Sequence, residues 1–122
     1  MSNELTINGS LAYADSESAD EILQIVNLIA TVSTKKYTKA KQSIGITEEA
    51  INLGEVTAPG FSIFINRDPT NFIELRVATG GAKFAKLKPG EFALLRLGSG
   101  AQVPFAIADT SPCQLEYLIV ST

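Results

Sequence analysis

From Gly60 onward, apolar and polar residues alternate with a period of two, interrupted at intervals by proline, glycine and aspartate. Gly60-Phe-Ser-Ile-Phe-Ile-Asn66 sets Phe61, Ile63 and Ile65 on one face, with Ser62 and Asn66 opposite. A polar turn, 67–70, leads into Asn71-Phe-Ile-Glu-Leu-Arg-Val77, where Ile73, Leu75 and Val77 point one way and Glu74 and Arg76 the other. Alternation bounded by turn residues predicts neighbouring antiparallel strands. Gly80-Gly81 then breaks the chain, residues 82–87 form a short strand, and Lys88-Pro89-Gly90-Glu91 is a turn. Residues 92–97 make a strongly apolar strand ended by Gly98-Ser99-Gly100. Residues 103–108 form another, and 109–112 turn again. The last strand, 115–120, sets Leu115, Tyr117 and Ile119 against Glu116, Leu118 and Val120. With apolar residues on both faces, it is expected to be a central strand or to be covered by a neighbouring subunit.

The first third is less regular. Residues 5–8 and 10–14 read as strands, and the acidic stretch 15–21 as a loop. Apolar positions 22, 25, 26 and 29 fit a helix, but Ile, Val and Thr dominate 22–32 and favour a strand. Residues 37–44 read as a strand with basic residues on one face. Thr47-Glu-Glu-Ala50 is either a helical turn capped by Thr47 or the start of a strand through Ile51 and Leu53. No repeat or linker is visible. The expectation is an all-β chain: one antiparallel β-sandwich domain, jelly-roll-like, over 1–122, with 1–20 as a possible extended N-terminal arm.

Composition narrows the function more than it names it. The chain has 122 residues, 45% of them apolar and 19% charged, which is enough for a core and unlike a disordered chain. A net charge of −3 lacks the basic excess of a nucleic-acid binder. The N-terminal segment has neither the basic nor the apolar region of a secretory signal, and 22–32 is too short to cross a bilayer. Neither nucleic acid nor membrane is therefore an expected partner, and cytoplasmic assembly is the expected setting.

Histidine is absent, which removes the commonest general base, the commonest metal ligand and every Ser-His or Cys-His pair. Cys113 is the single cysteine, with no cationic neighbour to activate it, and reads as a small hydrophobe. The glycine pairs lack the lysine and the spacing of phosphate-binding loops. Asp15, Glu17, Asp20 and Glu21 cluster without the spacing of a calcium loop, and Glu48 and Glu49 are adjacent rather than facing. No catalytic residue, metal site or cofactor is expected.

Two surface features stand out. Lys35, Lys36, Lys39 and Lys41 hold four of the ten basic side chains. They read either as a charged docking edge or as lysines that keep an exposed strand from pairing with others. Residues 1–8, with Met1, Leu5 and Ile7, read as an arm reaching a neighbour. The apolar balance of so small a chain points either to a well-filled core or to spare faces covered by self-association, as a trimer or dimer, or by a larger assembly.

Three groups of segments carry a family resemblance. The first is Gln42-Ser-Ile-Gly45 with Thr47-Glu-Glu-Ala50 and Leu53-Gly54-Glu55. The second is Gly60 to Asn66 with Asn71-Phe-Ile-Glu74. The third is Leu87-Lys-Pro-Gly-Glu91 with Ala106-Ile-Ala-Asp109 and Leu115-Glu-Tyr117. Together they resemble short virion structural proteins of tailed bacteriophages, diffusely and from about Gln42 onward. The resemblance implies a β-sandwich or jelly-roll unit without an active site, located in the virion. Capsid decoration (cement) on the major capsid protein comes first. A tail, neck or fibre-attachment component, or a carbohydrate- or receptor-binding module, is the alternative.

Overall fold

A computed structural model of the chain describes residues 4–15, 18–32, 36–97 and 103–121, with side chains described outside 13–22. Among these residues there is no helix, and all strand pairing is antiparallel. The contacts group the chain into two compact units, 1–33 and 34–122.

The first unit is a two-stranded ribbon, β1 (Leu5–Asp15) paired with β2 (Ser18–Ala30). The strand expected at 22–32 is thus present and begins earlier. The loop expected at 15–21 is corrected, because Ser18 to Glu21 already belong to β2 and Glu21 pairs with Tyr13. A β-bulge organises the ribbon. Ile7 lies opposite Leu28 but Gly9 opposite Ile25, so Asn8 faces two residues, Val26 and Asn27. Asn27 takes a left-handed φ of 52°, tolerable for asparagine, and its N–H donates to Asn8 Oδ1 at 2.8 Å. Without the extra residue, strict alternation would send Leu28 to the face opposite Leu23 and Ile25. With it, Leu5, Ile7, Leu11, Leu23, Ile25 and Leu28 share one face.

The second unit contains β3 (Tyr37–Ile44), β4 (Glu49–Ala50), β5 (Phe61–Asn66), β6 (Ile73–Arg76), β7 (Lys83–Leu87), β8 (Phe92–Arg96), β9 (Phe105–Ala108) and β10 (Cys113–Val120). They form two four-stranded sheets, in the orders β3-β10-β5-β8 and β4-β9-β6-β7. The pairing is nested: β3 with β10, β4 with β9, β5 with β8, β6 with β7. The chain therefore runs out and back on itself, reversing at residues 78–81. There Gly80 supplies a φ of 65° and the Gly81 N–H donates to Ala78 O. The turn expected at Lys88 to Glu91 forms with Pro89 followed by Gly90 at φ 81°, closed by the Glu91 N–H on Lys88 O at 2.9 Å. A strand rather than a helical turn forms at Glu49–Ala50, but it does not run on through Ile51 and Leu53, and the turn expected at 98–100 lies outside the described residues.

Both sheets feed one buried cluster. Ile44, Phe64, Leu115 and Ile119 come from the first; Ile73, Leu75, Leu87 and Ala106 come from the second. β10 is central, as its two apolar faces suggest. Val77 departs from expectation: the strand ends at Arg76 and Val77 is 52% exposed. The buried polar side chains of β5 are satisfied. Asn66, fully buried on β5, donates from Nδ2 to Asn71 O and Leu87 O, and accepts from the Asp68 N–H, pinning two turns together. Tyr117 Oη donates to Asn52 O at 2.7 Å, and Gln42 Nε2 donates to Glu49 and Ala50, so side chains of β3 and β10 hold the crossing at 49–53.

Candidate interaction surface

The outward faces of the two sheets carry different chemistry. On β4-β9-β6-β7 the outward side chains of β6 are Glu74 and Arg76. Arg76 bridges Glu48 at 2.9 Å and Glu74 at 3.3 Å, and Lys83 reaches Glu74 at 3.4 Å. The Gly80 N–H, donating to Glu48 at 2.7 Å, holds the Glu48 carboxyl below its ordinary value, with help from Arg76. Burial pushes the Glu74 carboxyl up, but hydrogen bonds from Arg76 and Lys83 outweigh it and leave it lowered. Two carboxylates held ionised around one guanidinium clamp the fold-back turn; a general acid at neutral pH needs the opposite shift.

On β3-β10-β5-β8 the outward face is largely apolar. Cross-strand register sets its side chains in rows. One row runs Lys39, Leu118, Ile63, Leu94; the next runs Lys41, Glu116, Ile65, Phe92. Phe61 lies on the same face beside Arg96, whose guanidinium stacks 4.3 Å from the ring centre. Phe92 is 62% exposed, and Ile63, Ile65 and Leu118 are half-buried. An open depression of about 260 Å³ is lined by Ile63, Ile65 and Leu118 together with Lys39, Arg67 and Glu116. Arg67 Nε donates to Glu116 at 2.7 Å and lowers its carboxyl pKa, with Lys41 and Lys39 adding attraction. The face therefore carries lysines along edge strand β3 and hydrophobes across β10, β5 and β8, with Arg96 of β8 stacked on Phe61 at one end.

The sequence-derived interface residues distribute as follows. Lys39 and Lys41 point outward from β3, and Lys36 is exposed just before it. Leu5 and Ile7 lie half-buried on the apolar face of the ribbon. Met1 and Lys35 lie outside the described residues, as do the side chains of Asp15, Asp20 and Glu21 and the whole of Glu17. Sequence reasoning did not single out Ile63, Ile65, Phe92, Leu94 and Leu118 as a surface. Their signal was the conflict within β5, where both alternating sets hold a large hydrophobe. On the ribbon, Leu11, Leu23 and Val26 are 72%, 71% and 68% exposed. Cys113 sits in the core, 1% exposed, where burial, with Asp68 adding to it, raises its thiol pKa and keeps it protonated. Comparison with protein-family models, curated proteins and solved structures returned no match.

Proposed function

We propose that this chain is a non-enzymatic virion structural protein, a capsid decoration (cement) subunit that acts by covering apolar area against copies of itself and the major capsid protein. The observation that carries the proposal is the outward face of β3-β10-β5-β8, where Ile63, Ile65, Leu94, Phe92 and Leu118 are gathered beside Lys39 and Lys41. Contiguous exposed apolar surface rimmed by polar side chains marks an interaction site. In this reading the eight strands of 37–120 are a jelly-roll sandwich. The nested pairing, first strand with last and so on inward, is the order that such a fold requires, and viral capsid domains are among its users. Fold alone does not assign function; the apolar face and the sequence resemblance supply the rest. Lys36, Lys39 and Lys41 form the docking edge, and Leu5 and Ile7 belong to the arm.

Fractionation of purified virions followed by quantitative mass spectrometry tests the proposal. A copy number comparable to that of the major capsid protein is expected. A copy number nearer that of a tail or neck ring would reassign the subunit, and absence from particles would end the virion reading.

A further inference from the structure

We propose that the β1–β2 ribbon is a two-register device. The end of β2 pairs with β1 either through the bulge or one residue out of it, and Asn27 is the latch that sets the balance.

The bulge is where the ladder changes step. Tyr13 to Gly9 pair with Glu21 to Ile25 without interruption; beyond the bulge, Ile7, Thr6 and Leu5 pair with Leu28, Ile29 and Ala30. Carrying the first step on unbroken would set Ile7 against Asn27, Thr6 against Leu28 and Leu5 against Ile29. A slip of one residue ordinarily exchanges a strand's apolar side for its polar side, and that loss fixes the register. Here the loss is missing. Leu28 and Ile29 are adjacent large hydrophobes, so in either register one of them joins Leu5, Ile7, Leu11, Leu23 and Ile25. No described side chain of the ribbon is buried, and Leu28 and Ile29 are 41% and 51% exposed, so no core chooses between them.

The remaining differences oppose one another. The bulged register puts Ala30 on the shared face, where the slipped register puts Asn27. Against that gain, the bulge holds a non-glycine residue at a left-handed φ of 52° and leaves one residue of β2 without a cross-strand partner. Two side-chain hydrogen bonds favour the bulge: the Asn27 N–H donates to Asn8 Oδ1 at 2.8 Å, and the Val32 N–H donates to Glu4 Oε1 at 3.2 Å. Both are exposed, where exchange with water leaves a modest net gain. The slip trades Leu28 for Ile29 beside Leu11 and Leu23, and hands one residue, about 3.3 Å of strand, to the connection toward β3. A ligand that touches this face shifts the balance by its preference between the two registers, and by no more.

Disulfide trapping in the full-length chain reads both registers. Thr6→Cys is combined in turn with Ile29→Cys, the bulged pair; with Leu28→Cys, the slipped pair; and with Gln24→Cys, which faces Ser10 and is opposite Thr6 in neither register. Cys113, 1% exposed in the core, does not compete. The 6–29 pair should close fastest. The 6–28 pair should close about ten- to a thousandfold more slowly, as for a minor state, and the 6–24 pair at least about tenfold more slowly again. Asn27→Gly removes the cost of the left-handed φ and should slow 6–28 closure about five- to tenfold. Asn27→Val disfavours that φ and puts an apolar side chain on the shared face, and should make 6–28 the faster pair. Should the valine variant lose its register altogether, seen as equal rates at all three pairs, the slowing in Asn27→Gly decides alone. A 6–28 rate no higher than that of 6–24 would overturn the proposal. So would 6–28 closure indifferent to the changes at Asn27, or equal rates for all three pairs in the wild-type ribbon.

Discussion

Strands β5 and β6 have similar alternation but opposite orientation. β6 buries Ile73 and Leu75 completely and turns Glu74 and Arg76 outward, where they are neutralised in an ion-pair cluster. β5 buries Ser62 and Asn66 along with Phe64, and turns Phe61, Ile63 and Ile65 outward. Each buried polar side chain on β5 has a defined acceptor: Ser62 on Gly60 O, Asn66 on Asn71 O and Leu87 O. Placing polar groups inward costs free energy unless they are bonded, and here they are. The contrast teaches that the apolar residues of β5 are not core residues displaced outward. The strand is specified from within by Phe64 and Asn66, which leaves its other face available for a partner.

Three changes separate the two strands further. Leu75→Ala removes a fully buried side chain of β6 and should cost about 3 kcal/mol, read as a lower denaturant midpoint. Asn66→Ala on β5 strands three backbone groups without a partner and should cost about 2–3 kcal/mol, with earlier amide exchange in the turns at 66–71 and 87–91. An apolar replacement of Asn66 that stabilised the protein would refute its role as the inner anchor of β5. The smallest effect is a pH dependence. The Glu48 and Glu74 carboxyls are lowered in the folded chain, so their contribution is complete above the ordinary glutamate value, about pH 4.3, and drains away as pH falls through the folded values. Arg76→Gln should flatten that acid limb of the stability curve and leave association at neutral pH unchanged.

Most of the second unit was legible in its sequence, because turn residues separate short alternating runs. The all-β class, the strands of 37–120 and the central position of β10 all follow from that. The inward and outward sides of β5 were harder. Ser62 and Asn66 look like surface residues until Leu87 O and Asn71 O, distant along the chain, are seen to meet Asn66. The ribbon was harder still. Its period breaks at Asn27, where one residue is added to β2 but not to β1, so a count of alternating positions across 22–32 falls between a strand and a helix. The acidic stretch 15–21 looks like a loop by composition, although part of it pairs as strand. The lysines of β3 could be read as either an anti-aggregation edge or a docking edge. Only their neighbours across the ladder, Leu118 and Glu116, put them beside an apolar surface.

The central claim is that the outward face of β5 and its neighbours serves association rather than folding. Sedimentation velocity of the wild-type protein and of Ile63→Ser combined with Leu94→Ser, over a concentration series and with thermal midpoints alongside, tests it most directly. The wild type should sediment as an oligomer. The double variant should sediment as a monomer whose stability has changed by no more than about 1 kcal/mol, as for substitutions outside a core. A monomeric wild type, or a variant that assembles as the wild type does, would contradict the claim.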